Sequence, residues 1–447
     1  MSWKTITVKG VALAGVLGLL AACGGTPAET NTASAPSPEQ SQTDSAPPAV
    51  EAAKEITILS GWQIGDATGD YLTKAVEKFQ AASGIKVNVE TVKYDDVRTT
   101  FETAALANQL PDLVTSNFVP EVKPWLTQGL IADTTPFLKD WGITDILQDG
   151  VLDPSWTYEG MLGGFPYQVG SWPMWYNMEL LKAAGVNEVP KTIDELKAAA
   201  AALKKNGVEG VCFPGADWGG AGFLWLWAQL YTGPAISEVM GNGGWADNPK
   251  AMDALKLVAE LRDQGVFIEN AAGYGYDDCA NAYDQGKVGM AHFGSWGFTQ
   301  LSDGTTNATQ IAGLPLPEGA GYTKPIAFQT GGNGLMISKP AADDPARLAA
   351  VEQFIKFIYT PEILQIWISD SSQLSPVKSD VTGPSTTANV LLQQSGTLFE
   401  VNEPAVLHDL YVKVGVDITA EVTWFIGTKG ATAEEFAQRL DKLWANA

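Results

Sequence analysis

The chain has 447 residues, 45% of them hydrophobic, so it is long and apolar enough for two domains or one bilobed unit. Its formal net charge of −23 argues against a nucleic-acid partner, because such binding requires concentrated Lys and Arg. Its two histidines, His292 and His408, are too few for a His-rich zinc site, and the sequence contains no phosphate-binding glycine motif.

The N-terminus has the features of a signal peptide. Lys4 and Lys9 form a basic segment before an apolar run at residues 11–20. This run is too short to span a bilayer. The run leads into Leu-Ala-Ala-Cys-Gly, which resembles the bacterial lipobox, where cleavage precedes a lipidated cysteine. We therefore expect a lipoprotein signal peptide at residues 1–22 and lipid attachment at Cys23. The alternative is an ordinary signal peptide with an incidental cysteine.

Residues 23–54 are predicted to form a disordered tether. They are dominated by Pro, Ser, Thr, Ala and Glu and contain no aromatic side chain, so they cannot bury a core. With lipid on Cys23, the protein would be extracytoplasmic and anchored to the bacterial membrane.

The folded region opens with a strand–helix–strand pattern. Ile56 and Ile58 alternate with Thr57 and Leu59, as in a strand, and a helical pattern then runs to Gly84. A second alternating segment begins at Ile85, so the two strands are expected to pair in parallel through a right-handed crossover. A further helix over about residues 96–107 precedes the short strand PDLVTSN, in which Asp112 is expected to be structural.

Later helices have clear start signals. A capping box at Thr192 opens a helix to about Lys205, and another at Thr432 opens the last helix. Pro249 stands at a first-turn position, and the segment PARLAAVEQFIKFIYTP carries one apolar stripe that ends at Pro361. Helices alternate with strands throughout, which favours an α/β fold of two lobes over a sandwich or a bundle.

Cys212 and Cys279 remain after the N-terminal cysteine. Outside the cytoplasm two such cysteines can pair, and we expect a disulfide here. Two buried thiols are the alternative, because the sequence does not give the distance between them.

The order of segments from about residue 55 onward resembles bacterial extracellular solute-binding proteins of the maltodextrin-binding type, which feed ATP-driven sugar importers. The segments that carry the resemblance are FQAASGIKVNVETV, NQLPDLVTSN, GLIADTTPFL, GGFPYQVGSWPMWYNMELLKAAGVNEVPKTIDEL, AYDQGKVGMAHFGSW, GLPLPEG and GGNGLMIS. The resemblance implies a class II periplasmic-binding-protein-like fold, in which crossing hinge strands join two α/β lobes and ligand binds in the cleft between them.

The resemblance also places the lobe boundaries. Crossings are expected near residues 167–170, 330–332 and 374–377. The first lobe would then comprise residues 55–168 and 331–373, and the second residues 169–330 and 374–447. Hinge closure would bury the ligand, and the closed form is what the importer would recognise.

Aromatic side chains are the main candidates for ligand binding, because an indole covers the apolar face of a pyranose while polar side chains bind its hydroxyls. Trp296 stands between Gly294 and Gly297 just after a predicted strand, and we interpret it as a platform for a ligand. The flanking glycines would let the chain turn and let the ligand approach the indole. The predicted ligand-binding residues are Trp62, Asp66, Asn117, Tyr167, Trp172, Asp217, Trp218, Trp296 and Gly332.

Each of these residues has a structural alternative. The aromatic rings would be core residues, Asp66 would cap the next helix, and Gly332 would serve only the strand crossing. Five further tryptophans lie in predicted helices and are expected in the core: Trp225, Trp227, Trp367, Trp424 and Trp444.

The sequence therefore predicts a monomeric sugar-binding protein, without catalysis, cofactor or metal, that captures an oligosaccharide for an ABC importer. The first alternative is the same fold binding a polyamine or another non-sugar solute. A second is a secreted glycosidase that uses Asp66 and Asp217 as its paired carboxylates. A third is a surface lipoprotein that binds no small ligand.

Overall fold

The structure is a computed structural model of the protein. It describes residues 50–63, 67–93, 96–116, 122–148, 151–152, 156–167, 169–330, 334–371, 373–378, 390–405 and 417–446. The predicted signal peptide, Cys23 and most of the predicted tether lie outside these residues. Residues 50–54, the described end of that tether, contact the folded region: the Ala53 amide donates to the Ala346 carbonyl at 2.8 Å.

Strands and helices alternate along the described chain, as the sequence predicted. The strands are β1 (Glu55–Ser60), β2 (Lys86–Thr91), β3 (Leu113–Ser116), β4 (Thr157–Tyr158), β5 (Met161–Leu162), β6 (Phe165–Pro166), β7 (Gly170–Trp172), β8 (Met174–Asn177), β9 (Glu209–Cys212), β10 (Val288–His292), β11 (Thr309–Ala312), β12 (Ile326–Thr330), β13 (Gly334–Ile337) and β14 (Glu403–Pro404).

The helices are α1 (Ala67–Ser83), α2 (Val97–Leu106), α3 (Val122–Thr127), α4 (Thr135–Asp140), α5 (Met178–Ala183), α6 (Ile193–Lys205), α7 (Trp218–Thr232), α8 (Ile236–Asn242), α9 (Pro249–Asp263), α10 (Tyr276–Asp284), α11 (Asp303–Ala308), α12 (Lys339–Asp343), α13 (Pro345–Ile358), α14 (Pro361–Ser371), α15 (Val390–Val401), α16 (Asp417–Gly427) and α17 (Ala433–Asn446). Short 3₁₀ helices occupy Gly233–Ala235, Ala271–Gly273 and Ser295–Gln300. Among the described residues, no helix combines the length and apolar character that crossing a membrane would require.

The first sheet has the strand order β2-β1-β3-β13-β6. β1 pairs in parallel with β2 and with β3, so the predicted strand–helix–strand unit is confirmed. Gly84, the predicted stop of α1, has a φ of 73°, a left-handed conformation that favours glycine. β13, from a distant part of the chain, pairs antiparallel with β3.

The second sheet has the order β11-β8-β10-β9, and a third joins β14, β12 and β7. β9 and β10 run in parallel, so their carboxyl ends lie at the same edge of the sheet. β7 and β12 pair antiparallel, with Thr330 opposite Gly170. β7 begins at the last residue of one predicted crossing, and β12 ends at the first residue of another.

Two hydrophobic cores are present among the described residues. The first contains side chains from Ile56 to Val169 and from Leu335 to Val377, and it packs on the first sheet. The second contains side chains from Trp172 to Phe328 and from Leu391 to Trp444, together with Ile368 of α14. Leu374 packs against both cores, and it forms a bridge with Val169. The lobe boundaries stay a prediction. Val169 and Val377 of the predicted second lobe belong to the first core, and Ile368 of the predicted first lobe belongs to the second.

Helix starts follow the predicted capping chemistry. The Thr192 side chain accepts from the Glu195 amide while the Glu195 carboxylate accepts from the Thr192 amide, which is a complete capping box. Thr432 and Glu435 form the same pair of bonds before α17. Pro249 is the first residue of α9, and Asn248 caps that helix.

A disulfide joins Cys212 to Cys279, with 5.6 Å between their Cα atoms. Both residues are fully buried in the second core. The predicted pairing is thus present, and it connects the end of β9 to the first turn of α10.

Candidate functional site

Four aromatic side chains of the second core meet in one cluster, which we call the aromatic platform: Trp172, Trp218, Tyr276 and Trp296. Tyr276 stacks on Trp218 with ring centroids 4.8 Å apart and an interplanar angle of 21°. Its ring also lies at 6.2 Å and 23° from that of Trp296. Trp172 contacts both indoles, at 6.0 Å from Trp218 and 5.6 Å from Trp296. Three of the predicted ligand-binding residues are therefore brought together.

Strand ends position these rings. The chain leaves β9 at Cys212 and enters α7 at Trp218, and it leaves β10 at His292 and enters the 3₁₀ helix that carries Trp296. Because β9 and β10 are parallel, both connections emerge at the same sheet edge, where α/β sheets bind their ligands. Trp296 was predicted at a strand end, and the structure places it there.

The two outer indoles of the platform keep part of their surface exposed. Trp218 and Trp296 are half-buried, whereas Trp172 and Tyr276 are only 5% and 4% exposed. The platform thus consists of a buried support and two accessible rings. Such rings can cover the flat apolar face of a ligand.

Glycines make room for the indoles of the platform. A Cβ atom on Gly294 would lie 2.2 Å from carbon atoms of the Trp296 ring, so this indole folds back over its own preceding glycine. A Cβ on Gly222 of α7 would lie 2.3 Å from the Trp172 ring. Gly294 was predicted to let a ligand approach, whereas in the structure its missing side chain makes room for the Trp296 indole.

Asp217 supports the platform through the backbone. Its Oδ1 accepts from the Gly219 amide at 2.9 Å, which caps α7, and its Oδ2 accepts from the Tyr276 amide at 2.7 Å. Burial raises the pKa of the Asp217 carboxyl, and these two bonds oppose that shift. The nearby carboxylates of Asp277 and Asp278 raise the same pKa further.

Tyr276 and Trp172 are fixed by hydrogen bonds to loop and strand backbone. The Tyr276 hydroxyl accepts from the Gly294 amide at 3.0 Å, and burial holds its pKa well above the usual range. The Trp172 indole N–H donates to the His292 carbonyl at 3.3 Å. These bonds leave the two supporting rings little freedom to tilt.

His292 lies at the end of β10 against the Trp172 ring, with centroids 5.6 Å apart. Its Nε2 is 3.3 Å from the Trp172 carbonyl oxygen. Burial lowers the pKa of His292 to about 3, because charging the ring among apolar neighbours is unfavourable. His292 is therefore a neutral packing residue at ordinary pH.

Trp62 and Tyr167 belong to the first core, unlike the platform residues. Trp62 packs on Trp367 at 5.5 Å. The fully buried Tyr167 hydroxyl is hydrogen-bonded to Tyr71 and donates to the Ile358 carbonyl at 2.7 Å. This placement corresponds to the core alternative for Tyr167 rather than to the predicted ligand role.

The remaining predicted ligand-binding residues are Asp66, Asn117 and Gly332, and all three lie outside the described residues. The five tryptophans expected in the core are Trp225, Trp227, Trp367, Trp424 and Trp444. Four of them are at most 2% exposed, whereas Trp424 is half-buried beneath the Arg439 guanidinium.

Tyr276 was missed by sequence reasoning. A tyrosine that opens a helix three residues before a cysteine looks like an ordinary core residue. Its position relative to the disulfide could have identified it. If Cys212 pairs with Cys279, the start of α10 lies near the segment that leads from β9 to Trp218.

Known proteins with similar sequences point to one family. A model of that family, described as bacterial extracellular solute-binding protein, matches residues 65–364. Relatives from Brucella abortus (strain 2308), named only as binding proteins, are 28% identical over 265 residues, which is 57% of this chain and 62% of the relative. The chain thus spans less than two thirds of their length. The alpha-glucosides-binding periplasmic protein AglE of Rhizobium meliloti is 24% identical over 357 residues, 72% of each chain.

Solved structures share the fold. A chitin oligosaccharide binding protein superposes with a TM-score of 0.75 at 22% identity, covering 88% of this chain and 98% of that one. Maltose-bound MalE3 of T. maritima superposes with a TM-score of 0.72 at 19% identity, covering 88% and 100%. These two-lobed proteins bear out the α/β, two-lobed fold class predicted from the sequence.

Proposed function

Because the chain belongs to the family of bacterial extracellular solute-binding proteins, whose model matches residues 65–364, we propose that it captures a carbohydrate, and more narrowly an oligosaccharide, for an ABC importer. The observation that carries the proposal is the aromatic platform, in which two half-buried indoles, Trp218 and Trp296, lie beside Tyr276. Flat rings at the edge of an α/β sheet suit the apolar face of a pyranose.

The energetics of such a site are adequate. Fully burying an aromatic side chain of about 200 Å² contributes at most about 5 kcal/mol, and a one-sided stack about a third of that. Micromolar affinity corresponds to about −8 kcal/mol. Two stacked rings together with several hydrogen bonds to sugar hydroxyls reach this value.

The ligand's polar contacts would come partly from the first lobe. Trp62, Asp66, Asn117 and Gly332 remain proposed contributors, and hinge closure would bring them against a ligand held on the platform. Names of similar proteins support an oligosaccharide: one relative is named for alpha-glucosides and one structure for chitin oligosaccharides.

The proposed function also includes the location of the protein and its attachment to the membrane. An extracytoplasmic monomer, anchored through lipid on Cys23 and a tether over residues 23–54, would present its closed form to the importer's membrane subunits. Catalysis is not proposed. Both oxygens of the Asp217 carboxylate, one candidate of the glycosidase alternative, already accept backbone amides.

A polyamine is the second candidate ligand. Asp277 and Asp278 lie close enough to Asp217 to raise its pKa, so three carboxylates lie near the start of α10. Aromatic rings beside carboxylates also suit a cationic amine. The carbohydrate is favoured because Asp217 is already committed to two backbone amides.

A thermal-shift screen tests the proposal and separates the candidates. Purified protein is heated with monosaccharides, with glucose-, N-acetylglucosamine- and xylose-based oligosaccharides, and with spermidine. A ligand at one hundred times its Kd stabilises the folded state by about 2.7 kcal/mol and so raises Tm measurably. We expect one oligosaccharide series to raise Tm. A shift with spermidine and none with any sugar would retain the fold and overturn the carbohydrate assignment.

A further inference from the structure

The stacked Trp218–Tyr276 pair is assembled from two separate elements. Trp218 opens α7 and Tyr276 opens α10. The link between the two helix starts is the Asp217 carboxylate, which accepts the Tyr276 amide across 59 positions of the chain. The geometry of the pair therefore depends on whatever holds these two helix starts together.

The Cys212–Cys279 disulfide joins the two chain segments that lead into this pair. Cys212 is the last residue of β9, five residues before Asp217, and Cys279 is in the first turn of α10, three residues after Tyr276. Both cysteines are fully buried, so the bridge is shielded from solvent. The disulfide covalently connects the two segments of the chain that carry the stacked rings.

Backbone hydrogen bonds continue the same connection toward the rings. The Gly215 amide donates to the Ala271 carbonyl at 3.2 Å, and the Ala216 amide donates to the Tyr274 carbonyl at 2.9 Å. Each bond is weak by itself, about 1 kcal/mol net. A loop held only by such bonds opens more readily than one held covalently.

We propose that the Cys212–Cys279 disulfide is a positioning element of the aromatic platform, so that ligand affinity depends on the oxidation of this cysteine pair. The inference rests on the proposed function, because it assigns the platform to ligand binding. The bridge fixes the α10 start against the α7 start before ligand arrives, and a ligand then need not order the Trp218–Tyr276 stack itself.

Oxidation therefore completes the site. Two thiols lose two electrons and two protons to a disulfide oxidant, which becomes a dithiol, and the protein gains one S–S bond. Such oxidants act outside the cytoplasm. The reduced chain would fold around the same second core but bind ligand more weakly.

The test compares the wild-type protein with the double variant Cys212→Ala/Cys279→Ala. A second pair, Cys212→Val with Cys279→Ala, keeps the buried volume closer to that of the bridge, and it is used if the first does not fold. The matched control is Trp245→Phe, which perturbs the second core at its contact with Trp444, 5.7 Å away between ring centroids, and leaves the bridge intact.

Two measurements are made on each protein. Without ligand, hydrogen exchange is followed at the Ala216 and Tyr276 amides, and at the Thr57 amide of the first core as an internal reference. With the sugar identified by the thermal-shift screen, Kd is measured by calorimetry well below the Tm of every variant.

We expect exchange at Ala216 and Tyr276 to accelerate at least about tenfold in the bridge variants, with Thr57 unchanged and Kd raised about tenfold. Trp245→Phe should lower Tm and leave Kd within about twofold of wild type. Unchanged exchange together with an unchanged Kd in the bridge variants would overturn the inference. If no sugar binds the wild-type protein, the proposed function fails, while the exchange result still decides whether the bridge positions the two rings.

Discussion

Gly294 and Trp296 illustrate how single residues define the platform. The indole of Trp296 lies over Gly294 because the glycine has no Cβ, and a Cβ there would stand 2.2 Å from the ring carbons. The requirement is for space rather than for backbone conformation, because the φ of Gly294 is −74° and suits any residue. The accessible face of Trp296 is therefore set by its neighbour's missing side chain.

Replacing Gly294 with alanine should displace the Trp296 indole and weaken ligand binding. A single stacked ring is worth roughly 1.5 kcal/mol, so we expect Kd to rise about tenfold. Calorimetric titration with the sugar identified by the thermal-shift screen measures the change. The matched control is Gly304→Ala in α11, where a Cβ would meet nothing within 4 Å and Kd should not change. Equal affinities for the two variants would contradict the role of Gly294.

The pKa of His292, held near 3 by burial, predicts a pH dependence of stability. Between pH 6.5 and 3 the unfolded chain binds a proton at this ring and the folded chain does not, so stability is complete above about pH 6.5 and falls as pH decreases. The loss is roughly 1.4 kcal/mol for each pH unit while only the unfolded form is protonated.

Urea unfolding of wild-type protein and His292→Gln at pH 7, 6, 5 and 4.5 measures this dependence. Carboxylate titrations are common to both proteins and cancel in the difference. The unfolding free energy of the wild-type protein should fall more steeply than that of the variant below pH 6.5. Parallel curves would mean that His292 is not held neutral by the fold.

Residue-level prediction from the sequence was uneven, for a physical reason. Trp172 was predicted from its place at a crossing, and Trp218 and Trp296 from their match to the family's segments, and the structure brings the three rings together. Tyr276 was missed because its role depends on a neighbour distant in the chain. Tyr167 was predicted at a crossing, but its side-chain direction depends on packing against Tyr71, Tyr359 and Trp367.

At the scale of elements, Asp112 links three parts of the first lobe. It precedes β3, it is 1% exposed, and its carboxylate accepts from the Thr57 amide of β1 at 2.8 Å and from the Thr57 hydroxyl at 2.9 Å. Arg347 of α13 donates to its other oxygen at 2.5 Å. The expected structural role of Asp112 is thus confirmed, and it consists of joining β1, β3 and α13.

Asp112→Ala should destabilise the fold by roughly 2–4 kcal/mol, because the Thr57 amide and hydroxyl lose their acceptor and Arg347 loses its partner. The estimate is below that for a fully buried ion pair, since the Arg347 side chain is 49% exposed. Urea unfolding measures the change. The matched control, Asp343→Ala, breaks an exposed pair with Lys339 and should cost less than about 1 kcal/mol. A loss for Asp112→Ala as small as that of the control would contradict the account.

Elements were predictable where local chemistry defines them. The α1, α6 and α9 helices have caps, stops or proline starts that act within a few residues. The two-residue strands β4, β5 and β6 were not predicted, because two residues carry no periodicity. The β14-β12-β7 sheet was not predicted either, since its pairing joins segments that no local pattern relates.

At the scale of the whole molecule, two hydrophobic cores and the crossing strands account for the family fold. The cores change between Val169 and Trp172 and again between Phe328 and Leu335. The predicted crossings near residues 167–170 and 330–332 came from the ordered resemblance of many short segments, because periodicity alone does not locate a crossing. The platform belongs to the second core, so ligand capture by the accessible indoles would depend on the first lobe only through closure.

The most direct test of the central claim is a calorimetric titration of three proteins with the oligosaccharide that gives the largest thermal shift. These are the wild-type protein, Trp296→Ala, and Trp141→Ala, which removes a half-buried indole that stacks on Phe165 in the first lobe. We predict saturable binding with a Kd near micromolar, a rise of about tenfold for Trp296→Ala, and less than about twofold for Trp141→Ala. Undiminished affinity in Trp296→Ala, or no heat with any saccharide, would contradict carbohydrate binding at the aromatic platform.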